Sequence, residues 1–451
     1  MTVQFGTDGL RGVANRELTP ELVLALGRAA ARVLAARGGG FVVGRDTRRS
    51  GPMLQAALSA GLAAEGVDVQ DLGVLPTPGV AAVSARRGLP AAVISASHNP
   101  FADNGVKLFA PGGRKLADDV ERHLEGELAR LSSAPGGAAG APPTGSGVGQ
   151  LRPDPDALGW YRDRLVAALD GRRLDGMRVA IDCANGAAVA TGAAVLGRLG
   201  AEVVAELAVE PDGTNINAGC GSTDPTSLQD AVRVGGAHAG LAFDGDADRV
   251  IAVDETGAVV DGDQLIALFA ADLRARGRLS GDTVVVTVMT NLGFRQAMQA
   301  SGVRVEETRV GDRYVLEALD QGGWSLGGEQ SGHIIFRDLA TTGDGVLTGL
   351  LLLDLLRRRG RPLSELAAGA MVRMPQVLRN VAVADGQGLE GVEALWAEVA
   401  SVEAELGSGG RVLLRPSGTE PLVRVMVEAP TQAVAEAAAR RLANAVSRLL
   451  G

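Results

Sequence analysis

Lysine is nearly missing from this chain. Of its 44 basic residues only Lys107 and Lys115 are lysine, so each surviving lysine is worth examining for a task that arginine cannot perform. Cysteine is equally scarce. Cys183 and Cys220 cannot build a disulfide framework in 451 residues, which favours an intracellular protein whose two thiols are inert packing groups. There is no basic excess either. The 44 Lys plus Arg stand against 53 Asp plus Glu, a formal charge of −9, and leave no global positive field for nucleic acid or an anionic membrane. The longest apolar stretch, residues 345–356, is broken by Thr348, Gly349 and Asp354 and is well short of the ~18 residues of a membrane span. Residues 1–12 lack the charged start and apolar core of a signal peptide. The expectation is a cytoplasmic protein that handles small molecules, with no nucleic acid and no membrane as partner.

What is present is an ordinary globular composition, 46% hydrophobic and 22% charged, in a length suited to about three domains. Glycine is in excess, 63 residues or twice the ~7% that is usual. Much of it lies in short polar loops, where bare N–H groups can cradle phosphate. Residues 133–150 are uncharged and rich in Gly, Ala, Pro, Ser and Thr, as a linker or long surface loop would be. Around that stretch a degenerate pattern occurs three times: an apolar strand, an Ala- and Leu-rich helix, then a strand opened by glycine. The pairs are 41–44 with 66–69, 179–181 with 200–203, and 284–288 with 302–305. This spacing predicts parallel crossovers. From about residue 370 the pattern changes to strands at 381–383, 412–414 and 423–427, with helices at 389–406 and 431–449. The predicted fold class is α/β: three related α/β domains with mixed sheets (1–150, 151–254 and 255–368) and a smaller α+β domain, 369–451.

Three polar loops follow the repeats at equivalent places, beyond strand ends where ligands of open α/β sheets bind. In Asp244-Gly245-Asp246-Ala247-Asp248-Arg249 three carboxylates repel one another unless a cation holds them, and oxygen-only ligation suits Mg²⁺ or Ca²⁺. A calcium EF-hand is weighed against this because Glu255 falls at the twelfth position. Arg249 occupies its glycine place, however, and 250–253 reads as a strand, which favours Mg²⁺. An acidic solvated turn is the bland alternative. Ser95-Ala96-Ser97-His98-Asn99-Pro100 is a strand-end loop in which neighbouring side chains should point apart. That and the missing elbow motif argue against a Ser–His hydrolase and for a phosphorylatable hydroxyl. Gly327-Gly328-Glu329-Gln330-Ser331-Gly332-His333 carries an acceptor, a hydroxyl and an imidazole suited to reading sugar hydroxyls or an amine. Arg415-Pro416-Ser417-Gly418-Thr419-Glu420-Pro421, with Arg424 nearby, suits a phosphate. Residues 5–12 and 309–313 are similar glycine-bearing loops.

In this order along the whole chain, these loops resemble the signatures of the α-D-phosphohexomutase family. Together with Pro211-Asp212-Gly213-Thr214-Asn215-Ile216-Asn217 they are nearest its amino-sugar branch. The resemblance implies four domains around a central cleft and interconversion of glucosamine 6-phosphate and glucosamine 1-phosphate through a 1,6-bisphosphate. Ser97 would carry the phosphoryl group, with His98 beside it, and would share Mg²⁺ with Asp244, Asp246 and Asp248. Arg249 would neutralise charge on the transferring group. Lys107 would be the general acid/base, with His333 as the other candidate. Glu329 and Ser331 would hold the sugar; Arg415, Ser417, Gly418, Thr419 and Arg424 would grip the idle phosphate; Arg11 and Asp312 complete the substrate-binding set. A hydroxy-sugar mutase of the same family and a non-catalytic sugar-phosphate binding protein are the rivals, and a homodimer is left open.

Overall fold

The structure, a computed structural model, describes residues 5–6, 9–133, 142–383, 389, 391–416 and 422–451. The chain divides into two compact units, Met1–Val288 with Arg304–Ala367, and Met289–Val303 with Ala368–Gly451.

In the first unit one four-strand pattern recurs in three mixed sheets. Gly40–Arg45 lies between parallel Asp68–Val74 and Ala91–Ile94, and Ala91–Ile94 turns back into antiparallel Asp103–Ala110. Arg178–Asp182 stands likewise between Glu202–Leu207 and Ala239–Phe243, with Val250–Asp254 antiparallel to the latter. Thr283–Thr287 is flanked by Arg304–Thr308 and Leu326–Gly328, and Ile334–Phe336 closes the third copy. Ala239–Phe243, Val250–Asp254 and Thr283–Thr287 are buried along their whole length, and Gly40–Arg45 and Arg178–Asp182 are buried except at their ends. Such strands read as continuous apolar runs because parallel sheets are covered on both faces. The turn between the third and fourth strands carries residues 95–102, 244–249 and 329–333, so the three chemistry-bearing loops occupy one topological position in each copy.

Sequence and structure differ at the edges of these repeats. Leu151–Pro153 adds to the first sheet beside Asp68–Val74, and Val259–Val260 adds to the second beside Val250–Asp254. These two short strands follow directly on the expected boundaries at 150 and 254 and extend the sheets of the first and second repeats. The apolar stretch 345–356 is a core helix, Gly345–Arg359, started by Asp344, whose carboxylate accepts from Leu347 N at 2.9 Å. Among the described residues no helix is long and apolar enough to cross a membrane.

The second unit is a three-stranded antiparallel sheet in the order Gln376–Ala382, Leu422–Glu428, Arg411–Pro416, with helices Glu393–Leu406 and Gln432–Leu450. Residues 289–303, expected in the third domain, pack here. Buried Glu428 accepts from Leu292 N and from Arg411 Nε, and Asn291 exchanges two hydrogen bonds with the backbone of Met374. A carboxylate at the start of helix Leu292–Ala300 also favours its unpaired N–H groups.

Candidate active site

Glycine lets the loops of different repeats touch. A Cβ on Gly245 would stand 2.6 Å from the Ser97 carbonyl, and one on Gly332 would stand 2.1 Å from the Val250 carbonyl. Neither approach is open to a larger residue.

Ser97 sits just beyond the strand Ala91–Ile94 and adopts φ +53. This left-handed turn, rather than the extended loop expected, brings its Oγ within 3.4 Å of His98 Nδ1. The same Oγ donates to Asp244 Oδ2 at 2.5 Å. Asp244, Asp246 and Asp248 are buried, with one carboxylate oxygen of each lying within 4.8 Å of the others. Lys107, on the strand Asp103–Ala110, reaches Asp246 at 2.6 Å and Asp248 at 3.2 Å. Thr77 donates to Asp246 through both Oγ1 and N. Oδ1 of Asp246 and Oδ1 of Asp248 are buried with no hydrogen-bond donor among the described residues, and an oxygen in that condition is costly unless a cation faces it. The donor set therefore fits a hard divalent ion. It does not fit an EF-hand. Residues 244–249 are a turn between two strands, and Glu255, at the far end of that hairpin, accepts from Ser364 Oγ and N.

The electrostatics follow from this crowding. Burial and then the charges of Asp248 and Asp246 push the Asp244 carboxyl well above its ordinary range. Burial acts the same way on Asp248, but Lys107, His333 and Arg249 outweigh it and hold that carboxyl low. His98 is pushed down to about 4 by burial and by Arg249 and Arg11, so it is neutral near pH 7; Arg249 Nη1 is 3.2 Å from its Nδ1. His333 lies 3.7 Å from Asp248 and 3.6 Å from Asp312. Burial disfavours its charged form, yet Asp248, Asp312 and Glu329 raise its pKa above the ordinary value. Glu329 is raised by burial and accepts from Gly311 N. Ser331 is exposed on the same loop, and Arg11 is half-buried on Gly9–Val13.

In the second unit Arg415 and Arg424 are cross-strand neighbours. Burial and the Arg424 charge lower the pKa of Arg415, and Nε of each is buried without an acceptor among the described residues. Two such guanidinium groups suit an anion. Ser417, Gly418 and Thr419 lie outside the described residues.

Three further residues at the site have no role assigned from the sequence. Thr77 carries no local signal. Lys115 does, being one of two lysines, and its Nζ is 2.5 Å from Asp312 Oδ1. Ser95 accepts from Ser97 N and donates to Asp46.

The description "Phosphoglucomutase/phosphomannomutase, alpha/beta/alpha domain I" matches residues 2–134, domain II of the same family 161–257, domain III 261–374 and its C-terminal domain 378–445. The chain belongs to this family and is a mutase. Curated relatives make the branch specific. Phosphoglucosamine mutase of Symbiobacterium thermophilum is 54% identical over 99% of both chains, and that of Desulforudis audaxviator is 52% identical over 100% of this chain and 99% of its own. The fold matches a phosphoglucomutase/phosphomannomutase family protein from Burkholderia thailandensis with TM-score 0.82 and 26% identity, covering 100% and 98% of the two chains. It also matches Aspergillus fumigatus N-acetylphosphoglucosamine mutase, solved with GlcNAc-6P and magnesium, with TM-score 0.70 and 20% identity over 99% and 96%.

Proposed function

We propose that this chain interconverts glucosamine 6-phosphate and glucosamine 1-phosphate, with Ser97 as the phosphoryl carrier and glucosamine 1,6-bisphosphate as the intermediate. The observation that carries the reading is the placement of Ser97 Oγ 2.5 Å from Asp244, at a buried carboxylate cluster with two donor-less oxygens. Relatives at 52–54% identity over the full length that are named phosphoglucosamine mutase support the choice of amino sugar.

In the forward half-reaction the bond from phosphorus to Ser97 Oγ breaks and a bond to the free sugar oxygen forms, while the sugar hydroxyl gives up its proton. The bisphosphate turns end for end, and the reverse transfer returns the other phosphate to Ser97. Asp244, Asp246 and Asp248 would hold a Mg²⁺ ion, whose charge would offset that of the transferring group. Arg249 adds positive charge on the His98 side of Ser97. Lys107 stands among the aspartates as the general acid/base: once its ammonium has given up a proton, the neutral amine can take the proton of the sugar hydroxyl, and Glu329 offers a carboxylate to sugar groups common to both orientations. Arg415 and Arg424 take the phosphate that is not reacting; a guanidinium pair reads a charged tetrahedron and so accepts either end of the sugar.

Intact-mass analysis for one phosphate on Ser97, coupled to turnover on glucosamine 6-phosphate with Mg²⁺, tests the reading. One phosphate, with turnover abolished in Ser97→Ala, is expected. Tight sugar-phosphate binding with an unmodified Ser97 and no turnover would make the protein a binding module. A higher kcat/KM on mannose or glucose 6-phosphate would move it to the hydroxy-sugar branch.

A further inference from the structure

We propose that Arg48 and Asn217 are positioning residues that clamp the phosphoryl-carrying loop; the proposal rests on the reading of Ser97 as carrier. Three backbone carbonyls of this loop and that of Asp103, at the start of the next strand, converge on one guanidinium. Arg48 Nη2 donates to Ser97 O at 2.9 Å and to Asn99 O at 2.8 Å. Its Nη1 donates to Asp103 O at 3.1 Å and also to Pro100 O. Asn217, in the second repeat, sends its Nδ2 to two of the same oxygens, Ser97 O at 2.9 Å and Asn99 O at 3.1 Å.

Arg48 is itself fixed. It is 1% exposed, and Asp46 accepts from its Nε and its backbone N, each at 2.9 Å. Asp46 also accepts from Ser95 Oγ at 2.7 Å, and that oxygen accepts from Ser97 N at 2.9 Å. Both backbone polar groups of Ser97 are thus tied to the Asp46–Arg48 pair. Carbonyl dipoles aimed at a common point repel one another unless a cation sits there, and a planar fork serves several oxygens where an ammonium serves fewer. Serine rarely adopts φ near +53. The clamp holds it there, and that conformation turns Oγ toward Asp244. Arg48 lies 49 residues from Ser97 and Asn217 lies 120 away, so no local pattern connects them.

The test is steady-state kinetics of Asn217→Ala, Arg48→Lys and the double variant, beside the wild type. Asn217 is half-buried, and its truncation spares the core. Asn217→Ala should lower kcat about tenfold and Arg48→Lys on the order of 10²-fold, the scale of a ~1 Å misplacement, with KM for the sugar phosphate within about twofold of the wild type. Because both side chains act on the same two carbonyls, the double variant should lose less than the product of the single losses. Amide exchange across residues 96–103 should quicken in each variant. Wild-type turnover with kcat retained in both single variants, or with strictly multiplicative losses, would overturn the clamp alone. A wild type that neither turns over nor carries phosphate would overturn the reading of Ser97 and the clamp with it.

Discussion

Replacing Lys107 separates its charge from its proton. Its side chain is 3% exposed, and Nζ stands 2.6 Å and 3.2 Å from Asp246 and Asp248. Lys107→Met leaves buried Asp246 without its ion-pair partner and Asp248 with only Arg249 and His333, a change that costs about 3–5 kcal/mol when one partner of a buried pair is removed. A divalent ion that binds only the folded state returns about 2.7 kcal/mol at a hundredfold excess over its Kd. The Lys107→Met protein should therefore melt well below the wild type in chelator and recover much of the difference with Mg²⁺, whereas the wild type responds less. Lys107→Arg keeps the charge, so its stability should be near that of the wild type, but a guanidinium does not release its proton. Its kcat should fall by about 10²-fold or more, within the range for loss of a general base. Thermal melts with and without Mg²⁺ and coupled turnover assays read both effects. A Lys107→Arg enzyme of near-normal kcat would show that the residue supplies charge only, and attention would pass to His333. A Lys107→Met protein whose melting ignores Mg²⁺ would refute the carboxylate cluster as a cation site.

Asp246→Asn should raise the Mg²⁺ concentration for half-maximal rate about tenfold or more and lower kcat, since a charged ligand is lost while Thr77 can still donate to the amide; full activity in excess chelator would defeat the metal reading. Arg424→Ala should raise KM for the sugar phosphate about tenfold, with a smaller loss of kcat than Ser97→Ala; a collapse of kcat at unchanged KM would exclude a binding role. Asp344 is buried and raised to about 6, although Leu347 N and Tyr161 Oη donate to it. Between about pH 4 and 6 the folded state keeps a proton that the unfolded chain has released, so stability falls as pH rises through that window, by up to about 3 kcal/mol. Asp344→Asn should remove this slope in urea titrations at pH 4.5 and 7, and parallel pH dependences for the two proteins would refute the assignment.

The periodicity of the chain determined a good deal by itself. Apolar strands followed, after one helix, by glycine-opened strands permit little besides parallel crossovers, and the three repeats, the α/β class and the change of pattern near residue 370 were legible for that reason. So was the carboxylate loop 244–248, because like charges two residues apart have few purposes. Domain edges were less legible. Leu151–Pro153 and Val259–Val260 are too short to carry a strand signal and exist only because a neighbouring edge offers hydrogen bonds. The loop sequence predicts an extended Ser97 because no neighbouring residue signals a left-handed serine. Its cause lies 49 and 120 residues away, in Arg48 and Asn217. Only the tertiary structure decided that Lys107 faces Asp246, that Thr77 caps the same carboxylate, and that Lys115 reaches Asp312. Local sequence encodes what a segment prefers through backbone sterics and periodicity. Which segments meet depends on burying all three sheets at once, and hydrogen bonds between distant loops are set by that packing rather than by any motif.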